Sequence, residues 1–166
     1  MSIRIRAYNE KDLPAMLTIW NDIVEEGNAF PQMKKLDIET GRKFFEEQSY
    51  TGVAIDNHNI VGMYILHPNN VGRCGHISNA SYGVKKGYRG KKLGEKMVLD
   101  SLREAKRLKF RIMQFNAVVK NNEAAIHLYE KIGFQKLGVI PKGFLLPDGS
   151  YEDIISYYIS LDTIKN

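Results

Sequence analysis

The stretch Tyr88-Arg89-Gly90-Lys91-Lys92-Leu93-Gly94-Glu95 gathers the residue types best suited to bind a ligand. It joins an extended segment to a long amphipathic helix, and sets Gly90 and Gly94 among three cations. The first N–H groups of a helix lack intrahelical acceptors and carry partial positive charge, so an anion is favoured there. Glycine lets the backbone curl with its N–H groups inward and lets a phosphate come close. Flanking cations add charge-assisted hydrogen bonds, and the arginine fork matches phosphate oxygens best. These residues imply a pyrophosphate or another polyanion. The plainer alternative is a basic helix entry facing solvent.

The charge distribution favours the same stretch. Between Lys85 and Arg111, 11 basic residues stand against Glu95, Asp100 and Glu104, giving +8; the remaining 13 basic and 16 acidic residues give −3. Such a field attracts anions, nucleic acid included. A nucleic-acid surface would also interleave exposed aromatics with the cations, and only Tyr88 and Phe110 qualify. Cys74 is the single cysteine, which excludes an internal disulfide. It has no His/Asp arrangement to activate it and reads as a small hydrophobe. No His or Cys cluster has metal-ligand spacing, so no metal is expected. His76 is a candidate base, although a lone histidine is more often structural.

The elements that must position these groups follow from periodicity and caps. Ile3 to Tyr8 alternates as a strand. Asn9 can cap a helix bearing Leu13, Met16, Leu17, Trp20, Ile23 and Val24 on one face, stopped by Gly27. Asp37 can cap a second helix running through Gln48. Thr51 to Ile55 and Ile60 to Leu66 read as strands around the polar turn Asp56-Asn57-His58-Asn59, and Pro68-Asn69-Asn70 marks another turn. Gly75 to Val84 is poor in strand formers, but its place before the glycine loop implies an extended segment. Leu93, Met97, Val98, Leu102, Ala105 and Leu108 lie at helical spacing. Ile112 to Val119 is a strand; Asn122 can cap a helix ended by Gly133; Gln135 to Ile140 and Asp153 to Leu161 supply two more strands around a Pro147-Asp148-Gly149 turn. The order β-α-α-β-β-β-α-β-α-β-β indicates a mixed α/β domain spanning 1–166, with a parallel step where the long helix connects two strands. No apolar run approaches 18 residues and the N-terminus lacks an apolar signal core, so a cytoplasmic location is expected. A homodimer is compatible with the sequence and not required by it.

Two motifs in this order resemble the GNAT superfamily of acetyl-CoA-dependent N-acetyltransferases. Val84-Lys85-Lys86-Gly87-Tyr88-Arg89-Gly90-Lys91-Lys92-Leu93-Gly94 is similar to the family's V-x-P-x-Y-R-G-x-G-x-G loop. Asn122-Glu123-Ala124-Ala125-Ile126-His127-Leu128-Tyr129-Glu130-Lys131-Ile132-Gly133-Phe134 is similar to its N-x-x-A-x-x-L-Y-x-K-x-G-F helix. Lys86 replaces a common proline, and Lys92 stands at the usual central glycine. With negative φ, as in a first helical turn, Lys92 would still offer its N–H. Pro68-Asn69-Asn70-Val71-Gly72-Arg73-Cys74-Gly75-His76-Ile77-Ser78-Asn79-Ala80-Ser81, followed by Phe115-Asn116, further resembles fungal GNAT enzymes that acetylate toxic proline analogues such as azetidine-2-carboxylate.

The resemblance implies a GNAT fold, with a mostly antiparallel sheet of about seven strands flanked by about four helices. It implies acetyl-CoA as co-substrate, without a metal, and attack of a small amine, such as an amino acid or its analogue, on the thioester through a tetrahedral oxyanion. A protein or peptide amine is the alternative acceptor, and a non-catalytic binder of an anionic partner the alternative function. The carried-over cofactor residues are Tyr82, Gly83, Val84, Arg89, Gly90, Lys91, Lys92, Leu93, Gly94, Glu95, Asn122 and Tyr129. Backbone N–H groups around Tyr82 to Val84 are the oxyanion donors. Tyr129 matches the family's tyrosine acid, its bottom-up alternative being a packed helix-face aromatic. Asn79 and Asn116 match residues that hold an amino acid's nitrogen and carboxylate. The residues themselves leave two routes for proton removal, a water chain ordered by Asn79 or an acceptor already partly neutral, which needs no dedicated base. Asp22, Glu25 and Glu26 end the first helix beside the expected acceptor site, either as cation readers or as a solvated helix end.

Overall fold

A computed structural model describes residues 2–90 and 92–165. Asn9 and Asp12 form a reciprocal capping box, and Asp12 also takes Arg6 at 2.7 Å, which fixes strand β1 (Ile3–Ala7) against the start of helix α1 (Leu13–Glu26). Gly27 ends α1 in the left-handed region, and Asp37 caps α2 (Ile38–Glu46) through Glu39 and Thr40. Strands β2 (Tyr50–Asp56) and β3 (Asn59–Pro68) are joined at Asn57 and His58, both with positive φ, as a tight hairpin turn requires. Then follow β4 (Ile77–Val84), α3 (Leu93–Arg107), β5 (Ile112–Val119), α4 (Glu123–Ile132), β6 (Gln135–Leu145) and β7 (Tyr151–Ser160).

The expected element order holds throughout. β6 is longer than its periodicity indicates: it continues past Pro141 through a register shift between Ile140 and Phe144, with Lys142 at φ 55. Proline is tolerated there because β6 is an edge strand and bulged.

The seven strands form one sheet in the order β1-β2-β3-β4-β5-β7-β6. All neighbours are antiparallel except β4 and β5. Trp20, Phe30, Phe45, Met63 and Ile65 form the core under α1 and α2. Tyr64, Met97, Leu102, Met113, Phe115 and Tyr157 form the core under α3 and α4. Gly83 is what lets α1 lie close on β4: a Cβ there would stand 2.8 Å from Ile23 Cδ1 and 3.0 Å from Ile19 Cγ2.

The parallel pair is short. β4 and β5 match only at Ile77↔Ile112 and Ser78↔Met113, after which the strands diverge. The closed end is held by Arg111 N–H donating to the His76 carbonyl at 2.9 Å and by Ser78 Oγ donating to the Ile112 carbonyl at 2.8 Å. The wedge opens toward the glycine loop. Among the described residues no helix is long and apolar enough to cross a membrane.

Candidate active site

The wedge exposes backbone from β4. Lys85 N–H donates to the Val61 carbonyl at 2.8 Å and Asn69 N–H to the Ile77 carbonyl at 2.7 Å. Alternation along an unbroken antiparallel register therefore turns the N–H groups of Asn79, Ser81 and Gly83 toward β3. Those of Ala80, Tyr82 and Val84 point into the wedge. Gly83 is thus placed differently from the sequence expectation, since its N–H is directed at β3.

Two cavities flank this edge. One, of about 690 Å³, is lined by Tyr82, Val84, Arg89, Gly90, Lys92, Leu93, Gly94, Glu95 and Asn122. The other, of about 640 Å³, is lined by Phe30, Phe44, His67, Asn79, Asn116 and Tyr129 among others. They share Ala29, Tyr82, Asn122 and Ala125, so one molecule threaded along the wedge reaches both.

The first cavity suits a pyrophosphate. The first turn of α3 points its N–H groups into it, Gly90 has φ 80, and nothing lies within 4 Å of where its Cβ would stand. Lys92 corrects an expectation: its φ is 58, so the residue before α3 occupies the left-handed region rather than a first-turn conformation. Lys91 lies outside the described residues. Arg89 crosses the cavity to Glu26 of α1 at 2.9 Å. Glu25 meets Lys35 at 3.3 Å, and neither Asp22 nor Glu25 lines the second cavity. At the acidic end of α1, Glu25 and Glu26 are thus engaged in ion pairs, and Glu26 lines the first cavity.

The model of the acetyltransferase (GNAT) family matches residues 13–134, well over half of the chain. The chain belongs to the GNAT acetyltransferase family. It is 27% identical to N-acetyltransferase aca1 of Schizosaccharomyces pombe (strain 972 / ATCC 24843), over 95% of this chain and 85% of that one. A GCN5-related N-acetyltransferase from Kribbella flavida shares the fold at TM-score 0.88 with 29% identity, covering 95% of this chain and 97% of that chain. The acetyltransferase yncA from Salmonella typhimurium, solved with its cofactor acetyl-CoA, superposes at TM-score 0.90 with 20% identity, covering 100% and 98%. This GNAT enzyme is an acetyl-CoA-dependent N-acetyltransferase.

In this GNAT domain Tyr129 is set by the end of its own helix. Gly133 takes φ 117, its N–H donates to the Glu130 carbonyl at 3.2 Å, and Phe134 N–H donates to the Tyr129 carbonyl at 3.0 Å. That pairing folds Phe134 back over Tyr129, with ring centroids 5.5 Å apart, while Phe115 packs at 4.5 Å. The Tyr129 hydroxyl has no hydrogen bond among the described residues, and burial pushes its pKa well above that of an ordinary phenol. It stays protonated across physiological pH. Tyr82 packs its ring edge-on against Phe115 of β5, with centroids 6.0 Å apart. Its hydroxyl donates to Ser101 Oγ at 2.7 Å, because Ser101 spends its own proton on the Val98 carbonyl. The Tyr82 hydroxyl is thus engaged, and its backbone N–H is the donor left to the wedge. Asn122 Oδ1 accepts from Ala125 N–H at 3.3 Å and caps α4 between the two cavities.

His76 and Cys74 are exposed and line neither cavity. The histidine in the site is His67, paired in register with Asn79. Its Nδ1 lies 3.0 Å from the Pro68 carbonyl, which can only accept, so Nδ1 carries the proton and Nε2 keeps a lone pair in the neutral ring. Sequence reasoning missed His67 and Asn69 because Pro68-Asn69-Asn70 reads as a turn. Only the β3–β4 register shows that His67 faces Asn79. Gln48 was also missed: its Nε2 donates to the Phe44 carbonyl at 2.9 Å, while its buried Oε1 has no partner among the described residues.

Proposed function

We propose that the acceptor is a small α-amino acid or a close analogue, acetylated on nitrogen. The observation that carries this is the convergence of Asn79 and Asn116 on Asn69 Oδ1, at 3.0 and 2.7 Å, beside the open edge of β4. Neutral amides facing one another can hold an amine and a carboxylate together. Among its described lining residues the second cavity has no lysine or arginine, and Glu47 is its one acid. Its volume of about 640 Å³ suits a compact acceptor, and Phe30 and Phe44 give it an apolar wall.

In this reading Asn79 holds the acceptor nitrogen against the thioester, and His67 Nε2 takes the proton the nitrogen must lose. One of the β4 N–H groups directed into the wedge, from Ala80, Tyr82 or Val84, stabilises the oxyanion as the C–N bond forms. Tyr129 protonates the departing thiolate when the C–S bond breaks. The basic loop and the first turn of α3 hold the pyrophosphate.

Free-thiol release from acetyl-CoA tests this across amino acids, polyamines, aminoglycosides and short peptides. Amino acids are expected to give the highest kcat/KM. Turnover confined to polyamines or peptides would refute the acceptor class. His67→Gln is expected to lower kcat without changing the stabilisation given by acetyl-CoA; an unchanged kcat would remove His67 from the proton route.

A further inference from the structure

Backbone pairing between β4 and β5 stops at Ser78 and Met113, yet beyond that point side chains tie the strands together again. Asn79 Nδ2 on β4 donates to Asn69 Oδ1 at 3.0 Å, and Asn116 Nδ2 on β5 donates to the same oxygen at 2.7 Å. One amide oxygen carries two lone pairs, so Asn69 Oδ1 is fully used. Asn69 itself is anchored, its N–H donating to the Ile77 carbonyl at 2.7 Å and continuing the β3–β4 ladder past Pro68. Asn116 is anchored from the other side. Its Oδ1 accepts from Gln114 Nε2 at 3.1 Å, and its backbone carbonyl accepts from Ser156 Oγ at 3.1 Å. β5 is bulged at this place, with the register shifting between Phe115 and Val118. A bulge re-aims a side chain beside a site.

What remains unspent gives each amide a polarity. Each amide keeps one N–H, but Gln114 takes one lone pair of Asn116 Oδ1 while Asn79 Oδ1 has no partner among the described residues, so Asn79 is the readier acceptor and Asn116 the readier donor. A carboxylate needs donors, and an amine with a hydrogen needs an acceptor. Without Asn69 the Asn79 amide loses its one side-chain partner among the described residues and Asn116 keeps only Gln114, so the difference between the two ends is weakened.

We propose that Asn69 is the positioning residue of the acceptor site, a single oxygen that clamps β4 to β5 across the wedge and orients Asn79 toward the acceptor's amine and Asn116 toward its carboxylate. This rests on the amino-acid reading of the preceding subsection. The clamp does not touch the reacting atoms; it sets the spacing and orientation of two residues that do.

Two substitutions separate the clamp from mere structure. Asn69→Leu keeps the branching at Cγ and removes the acceptor oxygen. Asn69→Asp keeps lone pairs for both amides and adds a negative charge beside the acceptor's carboxylate. For Asn69→Leu the KM for an amino acid is expected to rise about tenfold, with the KM for acetyl-CoA unchanged, a loss equivalent to one good polar contact. In an Asn116→Ala background the same substitution should raise KM by clearly less, because only the part exerted through Asn79 remains. For Asn69→Asp the KM is expected to rise for the amino acid and to stay at the wild-type value for its carboxamide. A folded Asn69→Leu with KM within twofold of wild type, or an equal rise in the Asn116→Ala background, would overturn the clamp. Should Asn69→Leu fail to fold, the Asn69→Asp comparison decides: equal effects on the acid and its carboxamide overturn it. Wild-type inactivity on every amino acid would overturn the acceptor reading and the clamp with it, whereas wild-type activity with no Asn69 effect overturns the clamp alone.

Discussion

Tyr129 is held by Phe115, Phe134 and its helix terminus, and its hydroxyl bonds to nothing among the described residues. Removing that hydroxyl should therefore cost the fold little and the chemistry much. Tyr129→Phe is expected to keep its melting temperature within a few degrees and to lose about 10²-fold in kcat. A variant with wild-type kcat would show that the thiolate leaves without this proton. Arg89 and Glu26 form a second residue-scale pair. Glu26 places a carboxylate in the cavity read as the pyrophosphate site and occupies the guanidinium that would bind it. Glu26→Gln should tighten acetyl-CoA binding several-fold and Arg89→Ala should weaken it, both readable by calorimetric titration. Equal affinities in all three proteins would remove Arg89 from the cofactor site. Of these residues, Arg89 and Tyr129 stand out as candidates from motif and charge. The Glu26 contact was not, because 63 residues separate it from Arg89 and no local pattern joins them. Lys92 was misread for a local reason: a lysine before a helix gives no sign of a left-handed φ, where a glycine would.

At the scale of elements, the helices were readable because apolar spacing and caps agree. α1 carries Leu13, Met16, Trp20 and Ile23 inward and stops at Gly27, and Gly133 and Phe134 close α4 as their types demand. β4 was the hardest element to read, being rich in Ser, Asn, Ala and Gly, and its composition follows from its task. One side of β4 must accept a helix at close range and its edge must lie bare in the wedge. Gly83→Ala probes the first requirement. Its Cβ would press on Ile19 and Ile23, so a loss of about 1–3 kcal/mol is expected in denaturant unfolding. A loss below about 0.5 kcal/mol would mean that α1 shifts freely on the sheet. The strand pairing itself, and with it the meeting of Asn69, Asn79 and Asn116, could not be read from spacing, because register belongs to the fold and not to any one strand.

For the whole molecule, two acids from outside the +8 stretch offset it further: Glu26 pairs with Arg89 and Asp162 with Arg111. The field that remains is concentrated at the loop and the entry of α3, where an anionic co-substrate would enter. The core also carries several tyrosines whose ionisation is suppressed. Burial pushes Tyr50 up to about 12, and burial, followed by the 2.6 Å bond to Asp100, raises Tyr64 further. Below about pH 10 these phenols are protonated in both the folded and the unfolded chain, and their contribution to stability is fully present. Above that, the unfolded chain releases protons that the folded one retains, so stability is lost as pH rises through the folded values. The melting temperature is expected to fall between about pH 10 and 12; a flat profile there would contradict the burial of these rings. The most direct test of the central claim is kcat/KM for one amino acid and its carboxamide, in wild type and in Asn116→Ala, at saturating acetyl-CoA. The account expects wild type to favour the free acid by at least about tenfold and Asn116→Ala to lose that preference. Equal rates on acid and amide in the wild type would contradict it.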